Sequence, residues 1–156
     1  MEAHLQAALA YIAGRLISGK NSYGVYDHSR SKRILINGTA KGPVVAVFDH
    51  DQRCHISGNG NGFQYSLYHH GEKRIISLTV FGSRFSAHDY GHSASFTGTV
   101  QGNSISLFEP ATCRQFRYTL VLSLEPPWSR LAGEAGIEPD RSTTDTNGST
   151  GLQPGT

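Results

Sequence analysis

Five copies of one hairpin, spaced by twenty to twenty-two residues between Tyr23 and Leu122, dictate what this chain can fold into. Tyr23-Gly24-Val25-Tyr26-Asp27 aligns with Val45-Ala46-Val47-Phe48-Asp49, Tyr65-Ser66-Leu67-Tyr68-His69, Phe85-Ser86-Ala87-His88-Asp89 and Ile105-Ser106-Leu107-Phe108-Glu109. The return strands keep the same step: Ile34, Ile56, Ile76, Phe96 and Phe116 each stand seven residues after the acidic or His position. Alternation puts Tyr23 and Val25, and their counterparts, on one face of each strand, the expected core. The residues between them, Gly24, Ala46, Ser66, Ser86 and Ser106, are small, so the opposite face should be bare or crowded.

Ten short strands at roughly ten-residue spacing read as a mainly β antiparallel meander of five hairpins. Open edges invite aggregation, which favours closure into a barrel or a radial rosette. Turns between copies are expected at Gly38, Lys41-Gly42-Pro43, Gly58 to Gly62, Gly82 and Gln101-Gly102-Asn103, where Gly and Asn tolerate positive φ. Gly58 and Gly98 also stand where other return strands carry Ile36, Leu78 and Tyr118, which suits a curved sheet.

Three segments follow. Residues 1–20 form an N-terminal amphipathic helix with Leu5, Leu9, Ile12 and Leu16 on one stripe and Gln6, Ala10 and Arg15 opposite, so it should pack by one side. Its two candidate seats are the lumen and one face of the sheet. Residues 21–122 form the hairpin-repeat domain. Residues 123–156, rich in Gly, Ser, Thr, Pro and acid, read as a disordered tail, with Trp128 able to dock back.

Charge is divided between the parts: residues 1–122 hold 12 Lys and Arg against 7 Asp and Glu, the remainder 2 against 5. A weak anionic partner is therefore permitted but not demanded. Cys54 and Cys113 lie in distant hairpins and should be free thiols. Glu2 and His4 precede the short apolar stretch where a secretory leader would carry positive charge, and no run is long enough for a membrane span, so a cytoplasmic location is expected.

The steps Tyr26-Asp27 and Phe48-Asp49, each followed by a polar turn and a return strand entered by Ile34 or Ile56, resemble the hairpin repeats of bacterial β-flower domains over residues 23–122. The chain departs from that pattern in having five copies, where the family's name implies four-fold symmetry, and in carrying His88-Asp89 in its fourth copy. The resemblance implies a repeat-built β architecture and a bacterial or phage origin. It transfers no catalytic residue.

Chemistry-bearing residues recur at one level: Asp27-His28, Asp49-His50-Asp51, His69-His70 and His88-Asp89, with His55 and His92 nearby. A ring sharing one metal is excluded by spacing, because equivalent positions lie two strands apart, about 9–10 Å, and ligands sit about 2 Å from their ion. Only a local set such as His50, Asp51 and His55 could chelate, and the simpler reading is that Asp and His end strands by bonding turn amides. Neither a nucleophile elbow nor a phosphate-cradling loop is present, and no cofactor is expected. A small non-catalytic binding or interaction module fits best. Its surface to test combines the aromatic column Tyr26, Tyr68 and Phe108 with the basic tips Arg30, Lys32, Lys73 and Arg74, which could meet a protein or an anionic surface. Alternatives are a β-barrel carrier of a small apolar ligand, which needs an open lumen, and a metal-dependent hydrolase on the local His and Asp set. A homo-oligomer is also compatible with the modest hydrophobic content.

Overall fold

The computed structural model describes residues 3–122, so the expected disordered tail and Trp128 lie outside the described residues. One helix, α1 (Ala3–Ser18), precedes ten strands: β1 (Gly24–Asp27), β2 (Lys32–Lys41), β3 (Val44–Asp49), β4 (Cys54–Gly60), β5 (Gln64–His69), β6 (Arg74–Phe81), β7 (Arg84–Asp89), β8 (Ala94–Gln101), β9 (Ser104–Glu109) and β10 (Arg114–Leu120). Every strand pairs antiparallel with its sequence neighbours, and β1 joins β10 through Val25↔Leu120, Tyr26↔Thr119 and Asp27↔Tyr118, closing the barrel. Closure satisfies the edges that a rosette would leave open.

Two kinds of turn alternate. Within each hairpin, an equivalent residue adopts the left-handed conformation: Ser31, Arg53, Lys73, Ser93 and Cys113, with φ of 48–56°. Between copies, Gly42, Gly82 and Gly102 lead two-residue turns at φ 59°, 61° and 61°, the first-position glycine of type II′ hairpins. Of the glycines expected in turns, Gly60 ends β4 and two others lie deeper inside strands. Gly38 lies within β2 and Gly58 within β4, and a Cβ at Gly58 would fall 2.0 Å from the Ser66 carbonyl oxygen. These are points where adjacent backbones press together as the sheet bends.

The helix lies inside the barrel. Every residue from Leu5 to Arg15 is buried, including Gln6, Ala10 and Arg15 on the face that a one-sided helix would leave to solvent. The correction has a geometric cause: a helix is about 10–12 Å across, and a ten-stranded barrel is wider than the eight-stranded kind whose own side chains fill it. Small residues make the fit close. A Cβ on Gly14 would already stand 3.0 Å from Ile105 Cδ1. The core is thus a cylinder, in which Leu9 and Ile12 share one cluster with Val25, Ile56, Ile76, Phe96 and Leu107. Tyr23, expected on the core face with Val25, is 41% exposed, because β1 begins only at Gly24, whose φ of 147° turns the chain.

Polar contacts fix the C-terminal half of the helix. Tyr11 donates its hydroxyl hydrogen to the Ser22 carbonyl at 2.8 Å, while Arg15 Nη1 donates to Tyr11 Oη at 2.9 Å and to the Gly38 carbonyl at 2.5 Å. Burial raises the Tyr11 hydroxyl above its ordinary pKa, only partly offset by Arg15, so it stays a donor. No helix among the described residues is long and apolar enough to cross a membrane.

Candidate functional site

At the rim where the helix begins, the middle residue of each repeat step points inward: Asp27, Asp49, His69, Asp89 and Glu109 are all buried. Strand alternation forces this, since their neighbours face out. Asp27 Oδ1 accepts from the Ser29 amide and hydroxyl, Asp49 Oδ1 from the amides of Asp51 and Gln52, Asp89 Oδ1 from the Gly91 amide, and His69 Nδ1 from the Glu72 amide. Each residue thereby holds its own turn.

The same position carries opposite electrostatics in different copies. Burial raises the Asp27 pKa, but Arg30, whose Nε reaches Oδ2 at 2.7 Å, and Ser29 outweigh it and leave the carboxyl below its ordinary value. Asp49 is raised, chiefly by burial, and its Oδ2 has no hydrogen-bond partner among the described residues. Asp27→Asn is therefore expected to cost about 1–3 kcal/mol at pH 7, since hydrogen bonds to a charged group are lost. Asp49→Asn should be neutral or stabilising. A lowered carboxyl contributes stability that is present above its unfolded pKa near 3.8 and lost as pH falls through the folded value. A raised one contributes at acid pH, and that contribution is lost as pH rises through the folded value. Urea denaturation at pH 7 and pH 3 should show the Asp27→Asn deficit shrinking in acid and any Asp49→Asn gain vanishing there.

Cys54 and His69 meet across adjacent hairpins, Sγ to Nε2 at 3.7 Å, a contact with no visible signal in the sequence. The chemistry of this pair is restrained. Because Nδ1 accepts an amide hydrogen, the neutral ring keeps its proton on Nε2, facing sulfur, and cannot take the thiol's proton. Burial raises the Cys54 thiol, and burial also lowers the His69 imidazole. Both changes oppose the thiolate–imidazolium state that a nucleophilic cysteine needs. Cys54 and the exposed Cys113 are both free thiols.

The anticipated metal set does not converge. His50 Nε2 pairs with Asn37 Oδ1 at 3.0 Å, Asp51 accepts from Lys32 Nζ at 3.1 Å, and His55 lies edge-on to Phe48. Among the described residues no three His, Cys, Asp or Glu are grouped to hold an ion.

The basic tips are largely spoken for as well. Arg30 binds Asp27 and Lys32 binds Asp51. Arg74, expected at the surface, is buried, donating to Asp89 Oδ2 at 2.9 Å and contacting Glu72 and His92. Its reversal follows from the pairing of β6 with β7: Asp89 stands opposite Ile76 and receives the Arg74 guanidinium. Lys73 itself is exposed.

On the outer face a second pattern repeats. Tyr26–His28, Phe48–His50 and Tyr68–His70 form edge-to-face pairs with centroids 4.8–4.9 Å apart. Each of these His side chains bonds the residue across from its aromatic: His28 to Thr119, His50 to Asn37 and His70 to Ser57. Recurrence in three copies marks the Ser57–His70 contact as a cross-strand support rather than a catalytic dyad.

The fifth copy breaks this pattern. Pro110 stands where His28, His50 and His70 stand, so Phe108 has no ring partner among the described residues and is 40% exposed, and the side-chain hydroxyl of Thr97 opposite it has no hydrogen-bonded partner there. A shallow groove of about 490 Å³ opens here across the outside of β6–β9 and reaches Gln115 on β10. One row of its floor runs Phe81, Arg84, Thr99, Ser106 and the next Thr79, Ser86, Thr97, Phe108, each step a cross-strand pair. Phe81 is 75% exposed. Of the expected aromatic column, only Phe108 lines this groove. Tyr26 is half-buried and Tyr68 exposed, and each leans on its own histidine. A proline at the position that holds histidine in the first three copies and Tyr90 in the fourth was the available signal.

No family model, no curated protein and no solved structure matches this chain.

Proposed function

We propose that the protein is a small non-catalytic binding module that engages its partner from the outside of the barrel, at the groove across β6–β9. The observation that carries this reading is the helix in the lumen, which takes the space an apolar ligand would need and leaves recognition to the exterior. A carrier would have to expel α1, and a hydrolase lacks a converging set of groups among the described residues. Pairing of three of the four basic tips, Arg30, Lys32 and Arg74, also moves the interaction surface away from the basic rim. A cytoplasmic setting, in which Cys54 and Cys113 stay reduced, and kinship with β-flower repeats belong to the same proposal.

The test is an amide NMR screen of the full chain against oligosaccharides, oligonucleotides and acidic peptides, run in parallel on a Phe81→Ser/Phe108→Ser double variant. Binding that perturbs Thr97, Thr99 and Ser106 and disappears in the double variant is expected. A ligand that perturbs Leu9 and Ile12 in the lumen, or one that is chemically converted, overturns the reading.

A further inference from the structure

We infer that the groove is a site for a neutral oligosaccharide, an inference that rests on the binding-module reading and names its ligand class. Two exposed apolar rings, Phe81 and Phe108, stand at diagonally opposite corners of the panel, and exposed aromatic rings are groups on which the C–H faces of pyranoses can stack. Between them lie hydroxyls of Thr97, Thr99 and Ser106 and the guanidinium of Arg84, none hydrogen-bonded by its side chain to another described residue. Hydroxyls both donate and accept, and a ligand made of hydroxyls answers them in kind.

Shape and charge narrow the choice further. Four adjacent strands span about 15 Å, which suits a chain of several sugars better than a compact metabolite. A single-stranded nucleic acid would need several cations along its path, and Arg84 is the cation in this groove. An extended peptide would seek a strand edge to extend, which the closed barrel does not offer.

The experiment titrates the isotope-labelled full chain with neutral hexasaccharides of β1,4-glucose, α1,4-glucose, β1,4-mannose and β1,4-N-acetylglucosamine at millimolar concentration. At least one should shift the amides of Thr97, Thr99 and Ser106. Phe81→Ala and Phe108→Ala should each weaken it about tenfold, and affinity should hold between low and high salt. Both rings are exposed, so the variants should keep the wild-type spectrum elsewhere. Absence of shifts with all four sugars overturns the inference. So does groove binding by oligothymidylate that weakens with salt while the sugars fail, or self-association through the groove that Phe108→Ala abolishes. In those two cases the binding-module reading survives and only the sugar is removed.

Discussion

Ala10→Lys is expected to unfold the protein or to destabilise it by more than about 4 kcal/mol, the range in which an uncompensated charge is forced into a packed interior. Ala10 sits on the helix face that carries Gln6 and Arg15, which an amphipathic reading turns toward water, yet it is fully buried. On a helix lying against the outside of a sheet, the same substitution would change stability by about 0.5 kcal/mol or less. Urea denaturation followed by circular dichroism separates the two by a wide margin. A near-neutral result would mean that the helix does not occupy the lumen, and the case for recognition from outside the barrel would fall with it.

The second large effect is expected at Asp89. Asp89→Ala should cost about 3–5 kcal/mol, because removing one member of a buried ion pair leaves the other's charge poorly compensated. Asp89 is fully buried, binds Arg74 Nη1 at 2.9 Å and also holds the Gly91 amide. The double variant Arg74→Met/Asp89→Ala should recover much of that loss, since a pair removed together leaves no orphaned charge, and Arg74→Met alone completes the set. A thermodynamic cycle on the four proteins measures the coupling. Additivity within about 0.5 kcal/mol would show that the pair is incidental and that Arg74 belongs with the surface tips after all.

The ten-stranded meander, though not its closure as a barrel rather than a rosette, was legible in the sequence because five aligned copies report the same inward positions repeatedly, and Ile34, Ile56, Ile76 and Phe96 are each buried as their column requires. Features that depend on a single copy were not legible. Arg74 looks like Lys32 in the same column, and only the pairing of β6 with β7 brings it against Asp89. The Cys54–His69 contact likewise requires the register of β4 on β5. For the helix, the difficulty was chemical. Alanines at 7, 8, 10 and 13 are as compatible with a solvent-facing side as with close packing, so composition could not reveal the complete burial. The groove lay between these extremes, since Pro110 is visible as an exception, but its consequence for Phe108 and Thr97 needs the neighbouring strand.

Closure of the barrel by β1 on β10 has a consequence for how the protein is made. The segment destined for the centre leaves the ribosome before the strands that enclose it, and the strand that completes the enclosure is the last of those ten. Until Leu120 has emerged, the helix has no complete wall to enter and its apolar stripe has no permanent cover. Folding is therefore tied to completion of the fifth hairpin, and a chain arrested one copy short carries an exposed core rather than a smaller barrel.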